Sequence, residues 1–306
     1  MTLRLLDHSA SDTAEISKQQ LIHAIRASEG RTVLCEVAAT TQPVLVSVSN
    51  AELVAAMSAD IILVNLFDVH TPFIDGLPAD TPPSEMIREI KRLTGRPVGI
   101  NLEPVDEYHS PDGGSYFVPE GRRATRETAQ LAADLGVDLI VLTGNPGAGV
   151  SNATIADALR SIRQQLGDTV VLAAGRMHAA GVFNAAHGIV EIDDVDAFAS
   201  AGADMLLIPA PGTVPGVSLE LANTLVTRAH KLGMLAMTTI GTSQEGADEQ
   251  TMRQLALSAK MAGADVHHLG DAGYAGTAIP ENILAYSIAV RGRRHTYTRM
   301  ARSLNR

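Results

Sequence analysis

The sequence predicts an α/β protein folded as a single (β/α)8 barrel, and three observations carry that expectation. A joint of a small residue, a second small or apolar residue and Asp recurs four times, each time leading into an apolar run: Ser58-Ala59-Asp60, Gly136-Val137-Asp138, Gly202-Ala203-Asp204 and Gly263-Ala264-Asp265. A small residue can end a helix and the apolar run behind it reads as a buried strand, so each joint marks a return from helix to strand. Further apolar runs lie between the joints, which brings the strand total to eight. The palette agrees: 45% of residues are hydrophobic but only 3% are aromatic, with no Trp. The core must therefore be built from Ala, Val, Ile, Leu and Met, which suits parallel strands buried on both faces.

Taken in order, residues 12–29 come first and place Ala14, Ile16, Leu21, Ile22 and Ile25 at near-helical spacing, a segment able to cap the bottom of the barrel. Strands are then expected at 33–37, 61–64, 97–102, 139–142, 169–173, 205–208, 234–239 and 266–269. Helices are expected at 84–93, 125–135, 152–166, 219–232 and 248–262. Each return takes a whole helix, which implies parallel order. Eight regular units favour closure over an open doubly wound sheet. Residues 281–305 read as a final helix carrying Arg291, Arg293, Arg294, Arg299 and Arg302, a basic cluster expected on a solvated face or at a subunit contact rather than at an anion site. No linker or break in composition appears, so residues 1–306 form one domain, with 1–30 as a helical extension and 281–306 as the closing helix.

Several function classes are excluded or disfavoured. The formal net charge of −10 argues against nucleic acid or an anionic membrane as partner, because both need a basic field. The single cysteine, Cys35, leaves no internal disulfide, and its place in Arg31-Thr32-Val33-Leu34-Cys35-Glu36-Val37 makes it a buried strand residue rather than a nucleophile. No apolar run is long enough to span a bilayer, and Asp7 and Asp12 stand where a signal peptide would be apolar, so a cytoplasmic protein is expected. Lys18, Lys91, Lys231 and Lys260 all fall in helical segments, which disfavours a Schiff-base lysine inside the barrel. The Asp-x-Asp spacing of haloacid dehalogenase-like phosphatases occurs in Ile192-Asp193-Asp194-Val195-Asp196-Ala197, but the stretch reads as the start of a helix with Asp193 or Asp194 as N-cap.

In barrels of this kind the chemistry sits at the C-terminal ends of the strands. Those ends carry Glu36, then Asn65, Asp68 and His70, then Asn101 and Glu103, then Thr143 and Asn145, then Arg176 and His178, followed by 209–216, 239–245 and 268–276. Acid–base work is expected of Glu36, Glu103 and His178, with Asp68 positioning a metal or a substrate hydroxyl and Arg176 holding an anion. Three carboxylates converging on one volume repel unless a cation or shared protons intervene. Glu36, Asp68 and Glu103 are therefore also candidate ligands of a divalent ion such as Mg²⁺ or Mn²⁺. On the other side of the mouth, the glycine-rich 240–246 and 270–276 stretches offer amides and hydroxyls that could converge on an anion, so Asn145, Gly241, Thr242, Ser243, Gly270, Asp271 and Gly273 are candidate phosphate- or carboxylate-binding residues. Tight βα turns would need the same glycines. The stretch 103–123 is too long for an ordinary βα loop and is a candidate lid or subunit contact.

The repeated joints and the glycine-rich endings of the seventh and eighth strands resemble the phosphate-binding (β/α)8 barrels. The helix ahead of the first strand is similar to that of the phosphoenolpyruvate mutase and isocitrate lyase relatives, although the Lys-x-Cys-Gly-His segment of lyases in that group has no counterpart here. The resemblance implies a fold and phosphate handling, not a reaction. With the strand-end residues it leads to an enzyme acting on a small phosphorylated or carboxylated metabolite, as a lyase or isomerase, in a homo-oligomer. Two alternatives stay open: a metal-dependent hydrolase, and a non-catalytic metabolite-binding barrel that regulates through a partner.

Overall fold

Side chains alternate along each strand between two apolar environments, as a closed parallel sheet requires. The computed structural model describes residues 3–106, 117–179, 189–273 and 275–306. Strands β1 (Thr32–Ala38), β2 (Ile61–Asn65), β3 (Val98–Leu102), β4 (Leu139–Leu142), β5 (Val171–Gly175), β6 (Met205–Pro209), β7 (Leu235–Ile240) and β8 (Val266–Leu269) form one closed barrel in chain order. Closure is made by β8 on β1, from Thr32 opposite Val266 to Cys35 opposite Leu269. The (β/α)8 architecture expected from the sequence is the observed one. Helices α1 (Ala10–Thr13) and α2 (Lys18–Ala27) precede the barrel. The others are α3 (Asn50–Ala56), α4 (Met86–Thr94), α5 (Arg126–Asp134), α6 (Asn152–Leu166), α7 (Ile192–Ala201), α8 (Leu219–Lys231), α9 (Glu249–Ala262) and α10 (Pro280–Met300).

Inward-facing Leu34, Leu63, Val141, Ala173, Leu207 and Met237 pack with Leu21, Ile22 and Ile25 of α2, which plugs the bottom of the barrel. Outward-facing Val33, Cys35, Val64, Ile100, Ile140 and Leu206 belong to a second apolar layer under the helices. Burial of Cys35 pushes its thiol well above the ordinary range, so it packs as a small apolar residue. Strand β5 starts two residues later than expected. Thr169 is held in a turn by bonds from its amide and hydroxyl to the carbonyl of Leu166, at the end of α6. The N-cap of α7 is Glu191, with the Asp194 carboxylate accepting from the Glu191 amide, and Asp196 is paired with Arg228. This corrects the expected cap at Asp193 or Asp194.

The four repeated joints share one physical device. Asp60, Asp138, Asp204 and Asp265 each donate their amide to a carbonyl of the preceding strand, at Val33, Val98, Leu172 and Ala236. Each also accepts, on Oδ2, the amide of that same residue, at 2.8–2.9 Å. A carboxylate thus completes the parallel ladder between β1 and β2, β3 and β4, β5 and β6, and β7 and β8. A basic side chain meets every one: Lys91 on Asp138, Arg163 and Lys18 on Asp204, and His230 on Asp265, whose hydrogen bond raises the pKa of His230.

For Asp60 the cations come from the far end of the chain. Arg291 and Arg299 both reach it, and all three side chains are fully buried. This corrects the expectation of a solvated basic face: Arg293 and Arg294 are exposed, but Arg291 and Arg299 lie inside. Between them Gly292 adopts φ 73, ψ 164, a break that lets the last turns of α10 fold back over the barrel base. Burying three charges is tolerable only because they pair, so removing one partner costs about 3–5 kcal/mol. The extension and the closing helix are thus engaged with the barrel rather than held as spare surface. Among the described residues no helix is long and apolar enough to cross a membrane. The middle of the 103–123 stretch, with Pro111, Gly113 and Gly114, lies outside the described residues, as does Tyr274.

Candidate functional site

The strand register gathers polar residues on one half of the barrel mouth. Glu36, Asn65, Asn101 and His268 share the inward parity of β1, β2, β3 and β8. Asn101 donates Nδ2 to Glu36 Oε1 at 2.8 Å and to Asn65 Oδ1 at 3.2 Å, while Asn65 donates to Asp271 Oδ2 at 2.9 Å. His268 Nε2 stands 3.3 Å from Glu36 Oε2. That is close enough for charge attraction but off the line of a hydrogen bond, since neither ring nitrogen of His268 has a hydrogen-bond partner among the described residues. Both side chains are almost wholly shielded from solvent.

Glu245 joins this group from the loop after β7. It sits in a short 3-10 turn, Gln244–Gly246, entered through Ser243 in the left-handed region at φ 67. The amide of Ala272 donates to its Oε1 at 2.8 Å, and Asn282 from α10 donates to its carbonyl at 2.8 Å. The residue is 1% exposed. Burial pushes its carboxyl up to about 7, against the pull of the backbone amides and His268 and with a further push from Glu36. Glu245 Oε2 and Asn101 Oδ1 are buried without a partner among the described residues. Several unsatisfied polar atoms in one buried place are costly unless a ligand or solvent meets them.

The expected site residues are distributed differently. Glu36 is at the centre of the cluster and Asp271 at its edge. Asp68 instead accepts the amides of His70 and Thr71 in a tight turn. That turn packs so closely on Gly121 that a Cβ there would lie 1.8 Å from Asp68 Oδ1. Glu103 is ion-paired with Arg122, and burial raises its carboxyl while Arg122 opposes the shift. Among the described residues no group of three or more His, Cys, Asp or Glu side chains is gathered as metal ligands would be. Of Glu36, Asp68 and Glu103, expected as ligands of Mg²⁺ or Mn²⁺, Asp68 is thus engaged in a turn and Glu103 in an ion pair.

Arg176 is half-buried near Asp194 at the start of α7, and its Nε is buried without a partner among the described residues. Burial, then Arg176, lower the pKa of His178. Asn145 caps a turn through the amide of Gly147. The glycines of the expected cradle pack closely: a Cβ on Gly270 would meet the Ile240 carbonyl at 2.7 Å and on Gly273, at φ 68, Ser243 Oγ at 2.6 Å, while on Gly241 it would meet the flexible Met177 side chain, at Sδ, at 2.7 Å. The amide of Gly270 bonds Ile240, and that of Ala272 is taken by Glu245. Thr242 bonds the carbonyl of Thr213 and so ties the loops after β6 and β7 together.

Met177 packs with the inward layer. A cavity of about 550 Å³ lies at the end of β6, lined by His178, Pro209, Thr213, Thr242 and mostly aliphatic neighbours, among them Ile208, Val217 and Leu225 of the outer layer. Asn65 and Asn101 stood among the polar strand ends, and Glu245 and His268 in the 239–245 and 268–276 stretches, but none of the four was assigned a role. Strand parity could have found three of them: 63 and 65, 99 and 101, and 266 and 268 keep one face, whereas Asp68 and Arg176 lie beyond the strands.

Solved structures show the same fold at low identity. Pyruvate carboxylase of Rhizobium etli matches at 13% identity and TM-score 0.53 over 95% of this chain but only 30% of that one. Orotidine 5'-phosphate decarboxylase of Pyrococcus horikoshii matches at 16% and 0.50, over 85% and 99%. A 2,3-dimethylmalate lyase of the phosphoenolpyruvate mutase and isocitrate lyase superfamily matches at 13% and 0.51, over 85% and 81%. These likenesses bear on architecture alone. No curated protein matches the sequence. Residues 6–306 match the family described as domain of unknown function DUF7916, and the chain belongs to that family.

Proposed function

We propose that the protein is an enzyme that moves a proton on a small phosphorylated or carboxylated metabolite, as a lyase or isomerase. The observation that carries this reading is the buried group of Glu36, His268 and Glu245, with polar atoms on two of the three that have no partner among the described residues and one carboxyl poised near neutrality. A general base works best when its pKa lies near the working pH, and burial has moved Glu245 there. Above that pH its carboxylate takes a proton from carbon beside a carbonyl. His268, whose Nε2 stands 3.3 Å from Glu36, meets the charge that develops on oxygen. The proton then returns to the same carbon or goes to another. Arg176, whose Nε has no partner among the described residues, is the group for the anionic end of the substrate. No step is assigned to a metal ion.

The test is turnover and binding of a panel of 2-oxo acids, 2-hydroxy acids and their phosphorylated analogues by the wild type and Glu245→Gln. Turnover by the wild type, reduced about 10²- to 10⁴-fold in the variant with binding kept, supports the proposal. Saturable binding of a panel member without turnover by either protein points to a regulatory barrel and overturns it.

A further inference from the structure

We infer that the substrate carries a hydroxyl group on the carbon beside its carbonyl, met by Asn101, Glu245 and His268; the inference rests on the proposed placing of the reaction at this cluster. All three side chains stand around Glu36. Asn101 Nδ2 is 2.8 Å from Glu36 Oε1 and His268 Nε2 is 3.3 Å from its Oε2. The charges of Glu36 and His268 both act on Glu245. Gly270, two residues beyond His268, leaves the room that Glu245 needs, since a Cβ there would lie 2.8 Å from Glu245 Oε1. The atoms left over in this one place are Asn101 Oδ1, Glu245 Oε2 and the two ring nitrogens of His268, all buried and without a partner among the described residues.

Donor and acceptor accounting then selects the ligand group. The rest of these side chains is engaged: Asn101 Nδ2 serves Glu36 and Asn65, and Glu245 Oε1 takes the Ala272 amide. An amide oxygen and a carboxylate oxygen only accept, whereas a neutral imidazole offers one N–H donor and one accepting nitrogen. A group that satisfies the set must therefore both donate and accept. A hydroxyl does so. A carbonyl or carboxylate oxygen only accepts, which leaves Asn101 Oδ1 and Glu245 Oε2 buried and unmet. A carboxylate would also face Glu36 and Glu245, neither of which is paired with a lysine or arginine among the described residues. A protonated amine only donates and has no lone pair for the ring N–H.

Pyruvate, 3-hydroxypyruvate and 3-fluoropyruvate, titrated calorimetrically at pH 8 into the wild type, Asn101→Leu and Glu245→Gln, test this. Fluorine is close to the hydroxyl in size but cannot donate. The wild type should bind hydroxypyruvate about 10- to 100-fold tighter than either analogue, the factor expected where a ligand hydroxyl meets buried groups that its analogue leaves unmet. In Asn101→Leu, checked for fold by circular dichroism, that preference should shrink. Glu245→Gln puts an N–H donor in place of Oε2, so fluoropyruvate should gain on hydroxypyruvate there. Equal affinities in the wild type, as a resident water meeting the same atoms would give, overturn the inference even where turnover is seen. No saturable binding of hydroxypyruvate, or a preference unchanged in both folded variants, overturns it too. Selective binding of hydroxypyruvate without turnover of any panel member keeps the hydroxyl site and removes the acid–base reading instead.

Discussion

Replacing Glu245 by Gln should abolish a pH dependence of stability that the buried carboxyl imposes. The folded protein holds this group at about 7, against an ordinary value of 4.5. Between those values the unfolded chain has released the proton and the folded protein has kept it. Fewer protons are bound in the unfolded state, so stability falls as pH rises. The contribution is fully present below 4.5 and lost as pH passes through 7. Two and a half units at about 1.4 kcal/mol each give about 3–4 kcal/mol. The side chain is almost wholly buried, so solvent screening reduces this little. Gln keeps the shape and can still accept from the Ala272 amide, but it does not titrate. Guanidinium unfolding of both proteins at pH 5 and pH 8 should show the wild type losing about 2–3 kcal/mol relative to the variant across that interval, since pH 5 already lies above the unfolded value. Parallel profiles for the two proteins would refute the electrostatic reasoning.

Three further outcomes are expected. Arg291→Met leaves Asp60 short of a partner in the interior and should cost about 3–5 kcal/mol in denaturant unfolding, whereas His230→Ala, at a pair open to solvent on the histidine side, should cost under about 1 kcal/mol; equal losses would contradict the burial argument. Gly121→Ala drives a methyl into the Asp68 turn and should destabilise by about 1–3 kcal/mol, with part of the loss recovered in the double variant with Asp68→Ala; strict additivity in melting experiments would remove the proposed contact. Homo-oligomerisation, if it uses the rim of the mouth, should depend on the loop after β1, where Val44, Leu45 and Val46 are exposed, Val46 at 97%. Light scattering should then show Val46→Asp to be smaller than the wild type, and an unchanged mass would exclude that rim.

The architecture was legible because its punctuation is local. Each Asp of the repeated joints follows a helix-ending residue and bonds the strand beside it, so four returns could be read from three-letter spellings. The apolar runs behind them are short and continuous, as doubly buried strands are. The beginning of β5 was less legible because Thr169 is held by a turn bond rather than by a break in hydropathy. The closing helix misled for another reason. Arg291 and Arg299 look solvated in a window of their own, and their partner Asp60 lies more than two hundred residues away in the chain. The site divides in the same way. Glu36 was found because it ends a strand on the inward face. Glu245 was not, because its burial is made by Ala272 and by Asn282 from α10, neither of which the local sequence announces. Asp68 was overvalued because a carboxylate near a strand end serves a turn as readily as a reaction.

The central claim is that Glu245, beside His268 and Glu36, moves a proton to and from substrate carbon. Solvent-deuterium incorporation into a 2-oxo acid, followed by proton NMR in heavy water across pH 5 to 9, tests it most directly. The account predicts protein-dependent exchange at the carbon beside the carbonyl, rising with an apparent pKa near 7 and lost in Glu245→Gln. Exchange that persists at the wild-type rate in a folded Glu245→Gln protein would contradict it.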